Sequence, residues 1–425
     1  MKSASRIPPL RRLSAVVALL AVWTLPTTAA AEGRATVFLI SLDGMRADYF
    51  ERIVTPFFDE LATRGAYSME TTAVFPSVTF ASHVSISTGA KADVHGITLN
   101  SFYDTRTRRL HRYAGDQALL EAEPFWTTAT RQGVRTLVLD WVNAHNQTGP
   151  HATAYFGDSY TRGIDDEERI GRVLDTWEHD DTDEPLRFIL AYAESPDKEG
   201  HRGGPDSALV DHRMEVLDTL MRKTTDRVRG LWERTAGPDD TLYIIIMSDH
   251  GMAPVEYHVD LRKGPETDER VRTITSSALV HFFFDDIEDP AERAEIKAGL
   301  KRDLGALEPI TVHTRESMPA EWRYSHPYRT GGLVATVPVP YAFFRHNGEE
   351  MIQPASDTGR FFGAHGYDPR DHPEMNTVLF MQRWPEPLGG IDLGEISLLQ
   401  IHATVCALLG IDPAPTARAD PFFEP

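Results

Sequence analysis

Five runs of apolar and β-branched residues punctuate the chain: ATVFLISL (35–42), RTLVLDW (135–141), RFILAYA (187–193), TLYIIIM (241–247) and NTVLFM (376–381). Their near-continuous apolar character predicts strands buried on both faces, as in a mainly parallel sheet. Between them the spacing turns helical. FFDELATRG ends on Gly65, a residue suited to a helix C-cap, and residues 206–234 carry apolar side chains at helical intervals. Strands alternating with helices predict a doubly wound α/β fold with helices on both faces of the sheet.

Residues 255–362 break that rhythm. SSALVHFFF, an acidic helical DPAERAEIKAGLKRDLG, PITVHT and GGLVATVPV read as β-α-β-β. This pattern predicts a small α+β subdomain inserted into a catalytic domain made of residues 32–254 and 363–416. The proline-rich end, closing with residues 417–425, reads as an extended tail. No repeat or long low-complexity tract interrupts the chain.

Of the 425 residues, 41% are apolar and 25% charged, enough for a substantial core. The formal net charge is −20. That excess of acid argues against nucleic-acid polymers and anionic membrane surfaces as partners, since basic patches supply affinity for both. A small anionic substrate stays possible where local cations neutralise it.

Two features bear on location. Lys2, Arg6, Arg11 and Arg12 precede a short apolar run from Leu13 to Leu25, and Ala29-Ala30-Ala31 then offers a cleavage site before Glu32. Residues 1–31 therefore read as an export signal rather than a stable membrane anchor, the run being too short to span. The Arg11-Arg12 pair leaves both the general and the twin-arginine routes open. The single cysteine, Cys406, lies in an amphipathic helical pattern and reads as a buried thiol, so no internal disulfide forms. A bacterial periplasmic or secreted protein fits these features.

Acidic residues and histidines gather just beyond the predicted strand ends. Asp43 follows FLISL, Asp197 and His201 follow FILAYAES, Asp249 and His250 follow YIIIMS, and His365 precedes NTVLFM. In open α/β sheets the carboxyl ends of the strands form the ligand crevice. Aspartate oxygen and imidazole nitrogen together suit zinc or a similar divalent ion. Six such groups exceed what one tetrahedral ion with an open position can use, and two ions about 4 Å apart would use them all. Each motif alone has a plainer reading as an ion pair or a capped turn; their common placement at strand ends favours the metal reading.

Within VFPSVTFASH, Thr79 stands between a proline turn and a predicted helix. A free threonine hydroxyl is a poor nucleophile that metal coordination can activate, and a helix N-terminus at that position favours an anion. An ordinary N-cap is the equally weighted alternative.

Taken in order, LDGMRADYF, FPSVTFASHVSISTGAKADVHGI, AESPDKEGH, SDHGM and GAHGYD resemble the nucleotide pyrophosphatase/phosphodiesterase family of the alkaline phosphatase superfamily. The likeness runs over residues 36–416, and EPFWTTATRQGV and ATVCALLGIDPAP match its flanking segments. It implies an alkaline-phosphatase-like fold and a phosphoric diester hydrolase or nucleotide diphosphatase with two zinc ions. It further implies a phosphothreonine intermediate on Thr79. Carried over by motif, Asp197, His201 and His365 would hold one zinc, and Asp43, Thr79, Asp249 and His250 the other. Asn100 matches the asparagine that donates to a phosphoryl oxygen. Phe80 and Tyr160 match aromatic positions that sandwich a nucleobase, and Trp141 is expected in the same pocket; ordinary packing is the plainer reading of all three. His83 is expected to support the site from behind.

Three positions depart from the family pattern. Val78 and Ser101 stand where lysines are common, and Ser82 where asparagine is usual. None is an expected ligand, but lost lysines weaken recognition of nucleotide phosphates. A phosphomonoesterase or phosphonate hydrolase would need extra cations to clamp a dianion, and no motif supplies them. No C/S-x-P-x-R motif supports a sulfatase. A metal-stabilised binding protein that lost activity would not be expected to keep the nucleophile and every ligand.

Overall fold

The computed structural model describes residues 33–425; the export signal read over residues 1–31 lies outside them. A nine-stranded sheet organises the chain. In chain order its strands are β1 (Ala35–Leu42), β2 (Ala66–Thr72), β3 (Thr136–Val138), β4 (Tyr155–Phe156), β5 (Phe188–Ala193), β6 (Thr241–Met247), β7 (Thr377–Trp384), β8 (Ile391–Asp392) and β9 (Glu395–Ser397). Across the sheet the order is β8-β2-β7-β6-β1-β5-β3-β4, with β9 also on β2. Only β7 runs antiparallel to its neighbours. The expected mainly parallel α/β sheet is present.

The central strands are mostly apolar because both of their faces are covered. Phe38, Ile40 and Leu42 of β1 pack against α1 (Pro56–Arg64), α4 (Asp166–Glu178) and α6 (Ala208–Glu233). Val37 and Leu39, pointing the other way, pack against α3 (Phe125–Arg131) and α8 (Gln400–Leu409). Cys406 is buried and unpaired within α8, and burial pushes its thiol up to about 12. Beyond α8 the chain forms neither helix nor strand, yet Phe422 and Phe423 pack on this second core and the Phe422 N–H donates to Thr404 Oγ1 at 3.0 Å.

Residues 255–362 build separate small sheets. A four-stranded antiparallel sheet takes the order Arg272–Thr275, Leu279–Phe283, Leu333–Thr336, Thr311–Thr314. Helix α7 (Pro290–Gly305) packs against it and is capped by Asp289, whose carboxylate accepts from the N–H groups of Ala291 and Glu292 at 2.8 Å. The polar strand Arg272–Thr275 carries no apolar run, and was not legible in the sequence. The segment rejoins the large sheet through Gly363–Ala364, which pairs antiparallel with Ala253–Pro254 just after β6.

Candidate active site and metal centre

Each strand end delivers one element. The Asp43-Gly44 turn closes β1 with Gly44 at φ +75°, where a Cβ would lie 2.9 Å from the Asp197 Cα. Only glycine allows this approach. It lets the Asp197 N–H donate to the Asp43 carbonyl at 3.0 Å, and the Gly44 N–H to Asp249 Oδ1 at 3.2 Å. Asp197 begins α5 (Asp197–Gly203), so His201 lies one turn further along the same face. The short Gly363–Ala364 strand sets His365 beside His250, their rings stacked with centroids 3.7 Å apart.

Two groups of ligand-type atoms converge here, each within 4.8 Å: Asp43, Asp249 and His250, and Asp197, His250 and His365. His250 Nε2 lies 3.2 Å from both Asp43 Oδ1 and Asp249 Oδ2, and 3.4 Å from Thr79 Oγ1. On the other side, Asp197 Oδ1 lies 3.4 Å from His201 Nε2 and 3.5 Å from His365 Nε2. All six acidic and imidazole residues therefore share one locus, although His250 adjoins both groups rather than one.

Three observations on this donor set fit metal ions. Asp43 Oδ1, Asp197 Oδ1 and Asp249 Oδ2 are buried with no hydrogen-bond donor, and such atoms are costly unless something binds them. The Nδ1 atoms of His201, His250 and His365 lie 2.8–2.9 Å from the carbonyls of Gly363, Gly251 and Ser77. A carbonyl only accepts, so each Nδ1 bears the proton and each Nε2 keeps its lone pair for the centre. Finally, without a counter-charge the site opposes its own carboxylates. Burial, then repulsion from Asp249 and Asp197, pushes Asp43 well above the usual carboxylate range. Burial, with His250 and His201 beside it, drives His365 well below an ordinary imidazole, leaving it neutral.

Thr79 is the first residue of α2 (Thr79–Thr88). The N-cap is Val78, and no side chain caps the helix. The Thr79 hydroxyl is therefore not used as a cap; its one hydrogen-bond contact among the described residues is His250 Nε2. Behind it, His83 Nδ1 meets the Thr79 carbonyl at 2.8 Å, and Nε2 meets Ser41 Oγ at 3.0 Å. His83 also lies 3.2 Å from Asp249 Oδ2. Asn100 Oδ1 accepts from the Phe80 N–H at 3.0 Å. That bond fixes the amide's acceptor, so its NH2 is the group left to donate.

A cleft of about 620 Å³ opens over this locus and is lined by Asp43, Thr79, Phe80, Asn100, Tyr160 and His365 among others. Trp141 is not on its wall. Asp140 takes φ +56° at the end of β3, and the following indole turns inward, fully buried, with its ring centroid 5.9 Å from Phe125 and 5.2 Å from His83. The expectation that Trp141 lines the pocket is corrected accordingly. Tyr160 does reach the cleft: its hydroxyl donates to Glu194, and the Arg169 guanidinium covers its ring at 4.4 Å. Tyr113, His145 and Tyr192 also line the cleft. Tyr113 comes from a loop after the Arg109–Arg112 strand and stands 60% exposed, its ring edge-on to Phe80 at 5.8 Å. Tyr192 is a hydroxyl-bearing residue inside an apolar strand, which was the only trace of it in the sequence.

The chain matches a family model described as type I phosphodiesterase / nucleotide pyrophosphatase over residues 37–368. It belongs to that family. The expected class, phosphoric diester hydrolase or nucleotide diphosphatase, is the family's own. Bis(5'-adenosyl)-triphosphatase ENPP4 of Bos taurus is 27% identical over 391 residues, 89% of this chain and 79% of the relative. Human ectonucleotide pyrophosphatase/phosphodiesterase family member 5 is 24% identical over 420 residues, 93% and 79% of the two chains. Among solved structures, an inactive variant of murine ENPP5 in complex with AMP superposes with a TM-score of 0.75 at 22% identity, covering 90% of this chain and 96% of that one. This likeness establishes the alkaline-phosphatase-like fold. No helix among the described residues is long and apolar enough to cross a membrane.

Proposed function

We propose that this protein is an exported, zinc-dependent nucleotide phosphodiesterase/pyrophosphatase acting through a phosphothreonine on Thr79. The observation that carries the reading is the uncapped Thr79 hydroxyl, 3.4 Å from His250 Nε2, at the junction of two ligand groups. Asp43, Thr79, Asp249 and His250 would hold one zinc, and Asp197, His201 and His365 the other. Bound there, the ions supply Lewis acidity, neutralising phosphoryl charge and acidifying adjacent hydroxyls. Thr79 Oγ1 attacks phosphorus, the bond from phosphorus to the leaving oxygen breaks, and the first product departs. Water then cleaves the new phosphorus–Oγ1 bond. The Asn100 amide donates to a phosphoryl oxygen throughout, and the start of α2 favours the anion. Phe80 and Tyr160 hold a nucleobase by stacking, which tolerates any base.

Nucleotides and related diesters are the proposed substrates, in line with the names of the relatives. Residues 255–362 act as an inserted subdomain whose return strand carries His365 to the centre. An export signal at residues 1–31 would deliver the protein to a periplasm or the exterior, where zinc is the proposed ion. Two in-line displacements predict net retention at phosphorus. A chiral thiophosphate diester turned over with retention supports the covalent route, and inversion excludes it.

A further inference from the structure

Cations are scarce on the wall of this cleft. The two positions where the family pattern has lysine hold Val78, which is buried, and Ser101. Among the lining residues, Lys198 and Arg162 carry permanent positive charge. Lys198 is committed: its ammonium lies 2.7 Å from Glu194 Oε2. His145 is held toward its neutral form by burial, with Nδ1 3.2 Å from the Gly115 carbonyl. Arg162 differs from both. It is exposed, and among the described residues its guanidinium makes no hydrogen bond or ion pair.

The backbone leading to Arg162 is pinned by contrast. The Thr161 N–H donates to Asp140 Oδ1 at 2.8 Å, and buried Arg169 donates to both the Thr161 carbonyl and Asp140 Oδ2 at 3.0 Å. One residue earlier, Tyr160 is fixed by Glu194 and by the Arg169 guanidinium over its ring. Gly163, at φ +77° with open space around it, then turns the chain away. An anchored backbone thus presents an uncommitted guanidinium to a cleft whose floor carries the nucleophile. A guanidinium fork matches two phosphate oxygens at once and does not lose its charge near neutral pH.

We infer that Arg162 is a specificity-determining residue that binds a phosphate next to the scissile one. It selects pyrophosphate-bridged nucleotides over diesters with an uncharged leaving group. The inference rests on the hydrolase reading above and deepens it by substrate class. It also explains how an acidic chain without the two lysines engages a polyanion: the cation comes from the Tyr160 side of the cleft.

The test compares zinc-loaded wild type, Arg162→Met and Arg162→Lys on two substrates, a dinucleoside triphosphate and the p-nitrophenyl ester of the same nucleoside 5'-monophosphate. Arg162→Met should lower kcat/KM about tenfold on the first, mainly through KM, and less than about twofold on the second. Arg162→Lys should recover part of the loss, since charge is kept and the fork is not. Calorimetry with ADP and AMP in a Thr79→Ala background supplies a readout free of turnover: the ratio of their affinities should fall about tenfold when Arg162→Met is added. Equal losses on both substrates, or an unchanged affinity ratio, overturns the inference. Should the wild type turn over neither substrate while the ratio still depends on Arg162, the hydrolase reading falls and the phosphate site stands.

Discussion

Tyr192 donates its phenolic hydroxyl to Asp43 Oδ2, while Asp43 Oδ1 stays without a donor, 3.2 Å from His250 Nε2. One oxygen of the carboxylate is tethered so that the other faces the centre. A partner that orients a ligating carboxylate tunes its metal affinity. Tyr192→Phe should therefore weaken zinc binding about 10–100-fold with the fold retained, measured by competition against a chromogenic chelator. Unchanged affinity would show that the tether does not act on the metal.

Thr79 touches the ligand set with its hydroxyl alone. Thr79→Ala should abolish turnover and leave metal content close to that of the wild type. Elemental analysis beside a diesterase assay reads both. Loss of metal together with activity would make Thr79 a ligand first and leave its role as nucleophile without support.

In the proposed centre the ions would offset buried carboxylates that repel one another: burial first, then Asp249 and Asp197, push Asp43 upward. Ions binding only the folded state stabilise it by about 2.7 kcal/mol when free metal is 100 times Kd. Thermal melts of chelated protein should fall several degrees below those of zinc-loaded protein and return on adding zinc. Coincident melts would contradict this account of the site.

The three aromatic positions divide by environment. Tyr160 and Phe80 reach the cleft, and Trp141 does not. Tyr160→Ala and Phe80→Ala should raise KM for nucleotide substrates by an amount worth about 1–3 kcal/mol each. Trp141→Ala should cost about 3–5 kcal/mol of stability in urea unfolding, with KM little changed. A raised KM in Trp141→Ala at unchanged stability would return that residue to the pocket.

Legibility followed burial. β1 and β6 were readable from end to end because both of their faces are covered, which leaves few polar positions to blur the run. β2, with sequence AYSMETT, has polar residues along one side and was missed, as were β8 and β9 at the edge beside it. The candidate ligands Asp43, Asp197, Asp249 and His250 were readable because they closely follow β1, β5 and β6, whose ends the topology gathers at one edge of the sheet, whereas His365 reaches that edge on the separate Gly363–Ala364 strand. The cleft wall was not. Tyr113, His145 and Arg162 come from loops whose course is set by contacts distant in sequence, such as Asp140 with Thr161 and Arg169. Trp141 misled for a local reason: the strand stops at Val138, short of the apolar run, and the positive φ of Asp140 turns the indole into the core beside Phe125.

Mass spectrometry of zinc-loaded protein, acid-quenched during turnover of a nucleotide diester, asks most directly whether Thr79 is the group that takes up the phosphoryl moiety. The account predicts a phosphorylated or nucleotidylated peptide with the modification on Thr79, absent from Thr79→Ala. Active enzyme carrying the modification on another residue, or a reaction that inverts at phosphorus without modifying the protein, would contradict it.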